Sequence, residues 1–164
     1  LVSFDPLDAD AVAFLSGETG VDFRSVDFDR ADWFCASARN DHGAVVGALA
    51  CEFKSWFDAE FVVAIADPGC LSWRVMHAVF VALFSTARRI TARIDPTNKR
   101  AIEQAMKMGF EVEGYQKLAL DGYRDAYVLG MTKETCRWLR IKPRPKGRLS
   151  RRTHVAEVAN GQIS

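Results

Sequence analysis

Residues 60–94 carry the pattern that most narrows what this chain folds into. Glu60 to Ala66 (EFVVAIA) is an unbroken apolar run of strand length, as expected of a central strand covered on both faces. Asp67-Pro68-Gly69 breaks the run. Val75, Met76, Val79, Phe80, Leu83 and Phe84 then recur with the 3.6-residue period of an amphipathic helix, with Ser72 at its N-cap position. Arg89 to Ile94 alternates Ile90, Ala92 and Ile94, as a strand does. A second helix follows, capped by Asp95 or Thr97, with Pro96 tolerated in its first turn. Its apolar face is Ala101, Ile102, Ala105 and Met106. Gly109 suits the left-handed residue after its last turn, and Phe110 the apolar residue that packs back onto it.

The flanks read as antiparallel pairs. Asp8 to Leu15 predicts a short helix that stops at Gly17, and Val21 to Phe28 reads either as a first strand or as a loop. Trp33 to Ala38 and Ala44 to Phe53 read as a hairpin around the turn residues Asn40 to Gly43. Phe110 to Leu120 and Ala126 to Met131 read as a second hairpin around Asp121-Gly122, and Glu134 to Leu139 as a terminal helix or a strand extension. The order predicts an α/β fold: a mixed sheet with helices on its faces. A chain of 164 residues, 49% hydrophobic, suits one compact domain. No apolar run approaches the roughly 18 residues of a bilayer-crossing helix. No basic segment followed by an apolar run marks a secretory leader, so the expected location is the cytoplasm.

The formal net charge of +1 hides an asymmetry. Residues 1–136 carry fourteen basic and twenty acidic side chains; residues 137–164 carry eight basic side chains and only Glu157 against them. Pro143, Pro145 and Gly147 interrupt any helix there. The expected division is a folded domain over residues 1–139 and a basic tail over 140–164. Residues 137–152 read either as an arm for nucleic acid or as part of a solvated tail which, from residue 140 on, has no aromatic residue to stack on bases. Cys35, Cys51, Cys70 and Cys136 form no C-x-x-C pair, and no His stands at metal-ligand spacing from them, so free thiols rather than disulfides or a metal site are expected.

From Ile90 to Glu134 the sequence resembles the GNAT superfamily of acyl-CoA N-acyltransferases. The resemblance rests on a strand followed by Asn98, Ala101, the step Lys107-Met108-Gly109-Phe110, the pair Glu113-Gly114, and the turn Asp121-Gly122…Asp125 before a strand ending in Met131. It looks most like the short phage-type members and the branch that acetylates protein N-termini and small amines. The resemblance implies a sheet whose two central parallel strands splay apart, with acetyl-CoA in the gap. The strands would be Glu60 to Ala66 and Ile90 to Ile94. Backbone groups of Val62, Val63 and Ala64 would bond the pantetheine arm. The pyrophosphate would sit at the start of the following helix, on Ser72, Trp73 and Arg74, where unpaired N–H groups and the helix dipole favour anions. Asn98 matches the position that contacts the cofactor arm.

Two departures bear on the chemistry. The family's glycine-rich pyrophosphate loop is replaced by Cys70-Leu71-Ser72-Trp73-Arg74-Val75, with only Gly69 nearby, and Trp73 either packs in the core or obstructs the approach. Ala105 stands where many members carry a Tyr that protonates the leaving thiolate; Tyr115 and Tyr123 are the alternatives. An ordinary thiol has a pKa of about 8.5, so the thiolate is a fair leaving group without that acid. About a tenth of an α-amine is neutral at pH 7, so a weak base suffices to prepare it. Glu52, Glu60, Asp67, His42 and His77 are candidate bases. Glu52 is favoured because a carboxylate on an apolar strand is desolvated; Asp67 reads equally as a cap. Three functions compete: acyl transfer from acetyl-CoA to a primary amine of a small molecule or protein, a non-catalytic binding module on the same fold, and a nucleic-acid-directed protein working through its tail.

Overall fold

In the computed structural model, which describes residues 1–4 and 6–140, seven strands form one mixed sheet with three helices on its faces. The elements run β1 (Val2–Ser3), α1 (Ala9–Thr19), β2 (Trp33–Arg39), β3 (Val45–Phe53), β4 (Asp58–Ile65), α2 (Trp73–Thr86), β5 (Arg89–Ile94), α3 (Lys99–Met108), β6 (Glu111–Leu120) and β7 (Arg124–Thr132). Their order across the sheet is β1-β2-β3-β4-β5-β7-β6. Every neighbouring pair is antiparallel except β4 and β5, which are parallel and joined through α2.

Caps set the helix ends. Asp8 accepts the Ala11 N–H at 3.0 Å and starts α1, which runs through Gly17 and stops at Gly20, at a φ of 72°. The expected stop at Gly17 is therefore passed: burial of Ala11 and Leu15 outweighs the roughly 1 kcal/mol that a mid-helix glycine costs. Ser72 caps α2, as its position predicts. Asn98, and neither Asp95 nor Thr97, caps α3, accepting the Ala101 N–H at 3.1 Å. Asp95 instead accepts the N–H and hydroxyl of Thr97, which closes a turn around Pro96 and delays the helix. The buried face of α3 is Ala105 and Met108, while Met106 is exposed. Gly109 ends the helix at a φ of 109°.

The core has two halves, one on each sheet face. Under α2 and α3 lie Phe61, Ile90, Leu129 and Met131, with Phe80 at the centre, stacked on Phe61, Phe84 and Trp138. Under α1 lie Leu15, Phe23, Phe28, Ala48, Ala50 and Ala64. The alternation from Val21 to Phe28 thus buries two phenylalanines from a loop rather than marking a strand. The four cysteines are free; burial pushes the Cys35 thiol up to about 11 and raises Cys51 further.

The last described element is a turn of 3-10 helix at Arg137–Leu139. The Trp138 indole N–H donates to the Met108 carbonyl, and Arg137 bonds the Lys107 carbonyl and lies over the Trp138 ring. Arg137, the first of the basic series, is thereby held against α3. Residues 141–152 of the expected nucleic-acid arm lie outside the described residues. Among the described residues no helix is long and apolar enough to cross a membrane.

Candidate active site

The register between β4 and β5 builds the site. Only three pairs join these strands: Asp58 with Arg89, Ala59 with Ile90 and Glu60 with Thr91. Beyond Glu60 the strands part while each keeps its other neighbour, β3 for β4 and β7 for β5. The rings of Phe61 and Phe110 meet at 5.4 Å where the parting begins. Hydrogen-bond alternation fixes which backbone groups this frees. The Arg89 N–H donates to the Phe57 carbonyl, and the Ala66 N–H to the Val46 carbonyl. Successive residues of a strand point their backbone groups to opposite sides, so even-numbered residues of β4 serve β3 and odd-numbered ones face β5. Past the last pair, Val63 and Ile65 turn their N–H and C=O groups into the gap.

The gap passes through the sheet and opens on both faces. On the side of α2 and α3 is a cleft of about 330 Å³ walled by Ile65, Pro68 and Leu71 from the end of β4 and the turn after it, and by α3. Its charged residues are Arg100, Lys107 and Arg137 against Glu103. On the α1 side is a cavity of about 350 Å³ reached by both Phe61 and Val63 and their opposite-face neighbours Glu60 and Val62. The end of α1, Val21 and Phe23, Trp33 and the tip of the β6–β7 hairpin wall it. Gln104 and Met108 line both spaces, so the two meet at the gap.

Carboxylates dominate the second cavity. Glu52 and Glu60 face each other across the β3–β4 ladder. Lys54 is bonded to Glu52 and lies 3.8 Å from Glu60; Arg93 reaches Glu60 at 2.8 Å. Arg124 lies 3.2 Å from Asp95 and is bonded to Asp121. Glu52, expected as a desolvated carboxylate on an apolar strand, lines this cavity with the Lys54 ammonium on it rather than apolar neighbours alone.

The other expected residues divide. Val63 lines the cavity and presents its backbone to the gap. Val62 lines the cavity with its side chain, but its backbone, like that of Ala64, is spent on β3. Ile65, absent from the sequence reading, offers the next free backbone groups. Asn98 lines the cavity while capping α3. Ser72 accepts the Val75 N–H, Arg74 is exposed, and the Trp73 ring packs 5.1 Å from that of Trp138. The wall of the cleft at this point is Pro68 and Leu71, and Trp73 is not among its lining residues. Asp67 is exposed and caps the turn Pro68–Cys70 by accepting the Gly69 N–H, away from the cavity lining. Tyr115 is half exposed on β6 and donates to Asp125 at 2.5 Å, also outside the lining; that bond holds its hydroxyl proton above the ordinary tyrosine pKa. His77 is tied to the Trp138 carbonyl, and His42 lies exposed in the β2–β3 turn. Arg100, Gln104 and Lys107 were missed: on α3 they read as an ordinary polar helix face, and only the crossing of α3 over the gap brings them to it.

No family model matches the chain, and no curated protein matches it by sequence. Solved structures do match in fold. A GNAT family acetyltransferase from Elizabethkingia anophelis with acetyl-CoA bound is 11% identical, with a TM-score of 0.61 over 80% of this chain and 97% of that one. The spermidine/spermine N-acetyltransferase of Vibrio cholerae is 14% identical, with a TM-score of 0.59 over 81% and 94%. The ribosomal-protein-S5-alanine acetyltransferase of Vibrio fischeri is 13% identical, with a TM-score of 0.57 over 84% and 93%. The parted parallel strands, the strand order and these likenesses agree: the described residues have the fold of the GNAT acetyltransferases.

Proposed function

We propose that this protein transfers an acetyl group from acetyl-CoA to a primary amine. The observation that carries the reading is the parting of β4 and β5 after three pairs, which leaves an unpaired strand edge beside an opening through the sheet. An extended amide-bearing arm fits that edge as a strand would, on Val63 and Ile65. The basic cleft suits an anionic carrier: Arg100, Lys107 and Arg137 outnumber Glu103 there. The solved relative from Elizabethkingia anophelis holds acetyl-CoA on the same fold.

The thioester supplies an activated acyl group. This chain's part is to hold its carbonyl against the Val63 N–H, a donor already oriented for the oxygen that gains charge as the amine attacks. The nitrogen lone pair forms the C–N bond while the C–S bond breaks. The sulfur leaves with the electron pair, and the proton shed by nitrogen ends on it through water. Glu52 or Glu60, both at the cavity wall, would receive that proton first. Proximity in the gap supplies much of the acceleration.

A thermal melt with and without acetyl-CoA tests the reading. Ligand at about 100 times its Kd should stabilise the fold by about 2.7 kcal/mol, and CoA thiol should be released when an amine is added. A melt unmoved by acetyl-CoA would favour a second reading, a binding module on the same fold. The positions of Tyr115 and Asp67 outside the cavity are what favour that alternative.

A further inference from the structure

Resting on that reading of the gap, we infer that the acceptor is a small aliphatic amine carrying at least one further ammonium group, a diamine or polyamine, bound on the α1 side of the sheet. The two mouths of the opening differ in charge. The cleft under α3 has three cationic side chains and one carboxylate. The opposite cavity is lined by Glu18, Glu52, Glu60, Asp95 and Asp121, with Arg93 and Arg124. An anionic carrier and a cationic acceptor thus meet at the gap from opposite faces.

The partners of these groups sharpen the assignment. Both arginines that line the cavity are ion-paired, Arg93 with Glu60 and Arg124 with Asp95 and Asp121, although the buried Arg124 Nε has no hydrogen-bond partner; Lys54, beside the lining, is held by Glu52. Among the described residues no side-chain cation at the cavity lacks a carboxylate partner, so a carboxylate on the acceptor would have to displace one, which disfavours amino acids and other acidic amines. Negative charge is left over. Glu18 is exposed and has no ion-pair partner among the described residues, and two aspartates share Arg124. The loop that carries Val21 and Phe23 into the wall adds Asp27 and Asp29, while its arginines are engaged by Asp22 and Asp32. That surplus attracts cations to the mouth and raises their encounter rate. Lys54 shows that the facing pair Glu52 and Glu60 accommodates an ammonium, since its own lies between them. A cavity of about 350 Å³, walled on three sides by α1, the loop and the hairpin tip, suits a small molecule. One nitrogen of the acceptor loses its proton and attacks; the other stays charged and is the handle.

Calorimetric titration of the full chain with 1,4-diaminobutane and with butylamine, with and without acetyl-CoA, reads that handle directly. The diamine should bind roughly tenfold more tightly than the monoamine, and the difference should shrink as salt rises from about 20 to about 200 mM. Glu18→Gln should weaken diamine binding about three- to fivefold and leave butylamine unchanged, the range expected for one exposed charge pair. Glu52→Gln, which also frees Lys54, should weaken it further. Equal affinity for the two amines, tighter binding of glycine or of an uncharged peptide, or diamine affinity unchanged in both variants would overturn the inference. A chain that binds the diamine but not acetyl-CoA would keep this assignment and lose the transferase reading; the reverse pattern would do the opposite.

Discussion

Replacing Val63 by proline isolates the backbone donor on which the proposed chemistry turns. Proline removes the N–H, and a strand tolerates it only where that N–H faces away from a neighbour. The alternation along β4 places the Val63 N–H on the side where β5 has departed, so the ladder to β3 loses nothing. Val63→Ala is the matched control, because it also shortens the side chain but keeps the donor. Val63 is half-buried against the core under α2. Losing its two methyl groups there costs about 1 kcal/mol, or roughly 2–4 °C in melting temperature for a chain of this size. Both variants should melt within a few degrees of each other. Release of CoA thiol at saturating acetyl-CoA and amine should separate them, with kcat of the proline variant about 10²–10³ below that of the alanine variant, as for loss of an oxyanion donor. Equal kcat would remove Val63 from the mechanism. A proline variant melting more than roughly 10 °C below the alanine variant would show that the N–H belongs to the ladder and is not free in the gap.

Three further outcomes are expected. Phe80→Ala empties the centre of the larger core half, where Phe80 is fully buried against Phe61, Phe84 and Trp138, and should cost about 3–5 kcal/mol in urea unfolding; a loss under about 1 kcal/mol would contradict that packing. Glu113, bonded to Arg89 from the far side of β7, has its pKa held below the ordinary 4.5 by that bond. Its contribution is therefore complete above about pH 4.5 and fades as pH falls through the lowered value, so Glu113→Gln should flatten the acid limb of a stability–pH curve. Asn98→Ala should destabilise by about 1 kcal/mol and Asn98→Asp by little, since only the first loses the oxygen that caps α3; a raised KM for acetyl-CoA in both would add a cofactor contact to the cap.

Local chemistry determined much of this molecule. The helical stripe from Val75 to Phe84, the Ser72 cap, the left-handed Gly109 and the apolar run of β4 each depend on interactions within a few residues, and each stands where the periodicity puts it. The start of α3 and the end of α1 did not follow from local signals, because a turn around Pro96 and burial beneath the sheet outweighed them. The site belongs to the tertiary structure almost entirely. Neither the apolar run of β4 nor the alternation of β5 changes where the two strands stop pairing, so nothing local marks that point; Phe61 and Phe110 pack there. Glu52 and Glu60 become neighbours only through the β3–β4 register, and the basic residues of α3 meet the gap only through the path of that helix. Short-range propensity acts on one segment at a time, whereas an opening and the charges on its two mouths arise from several segments closing on one another.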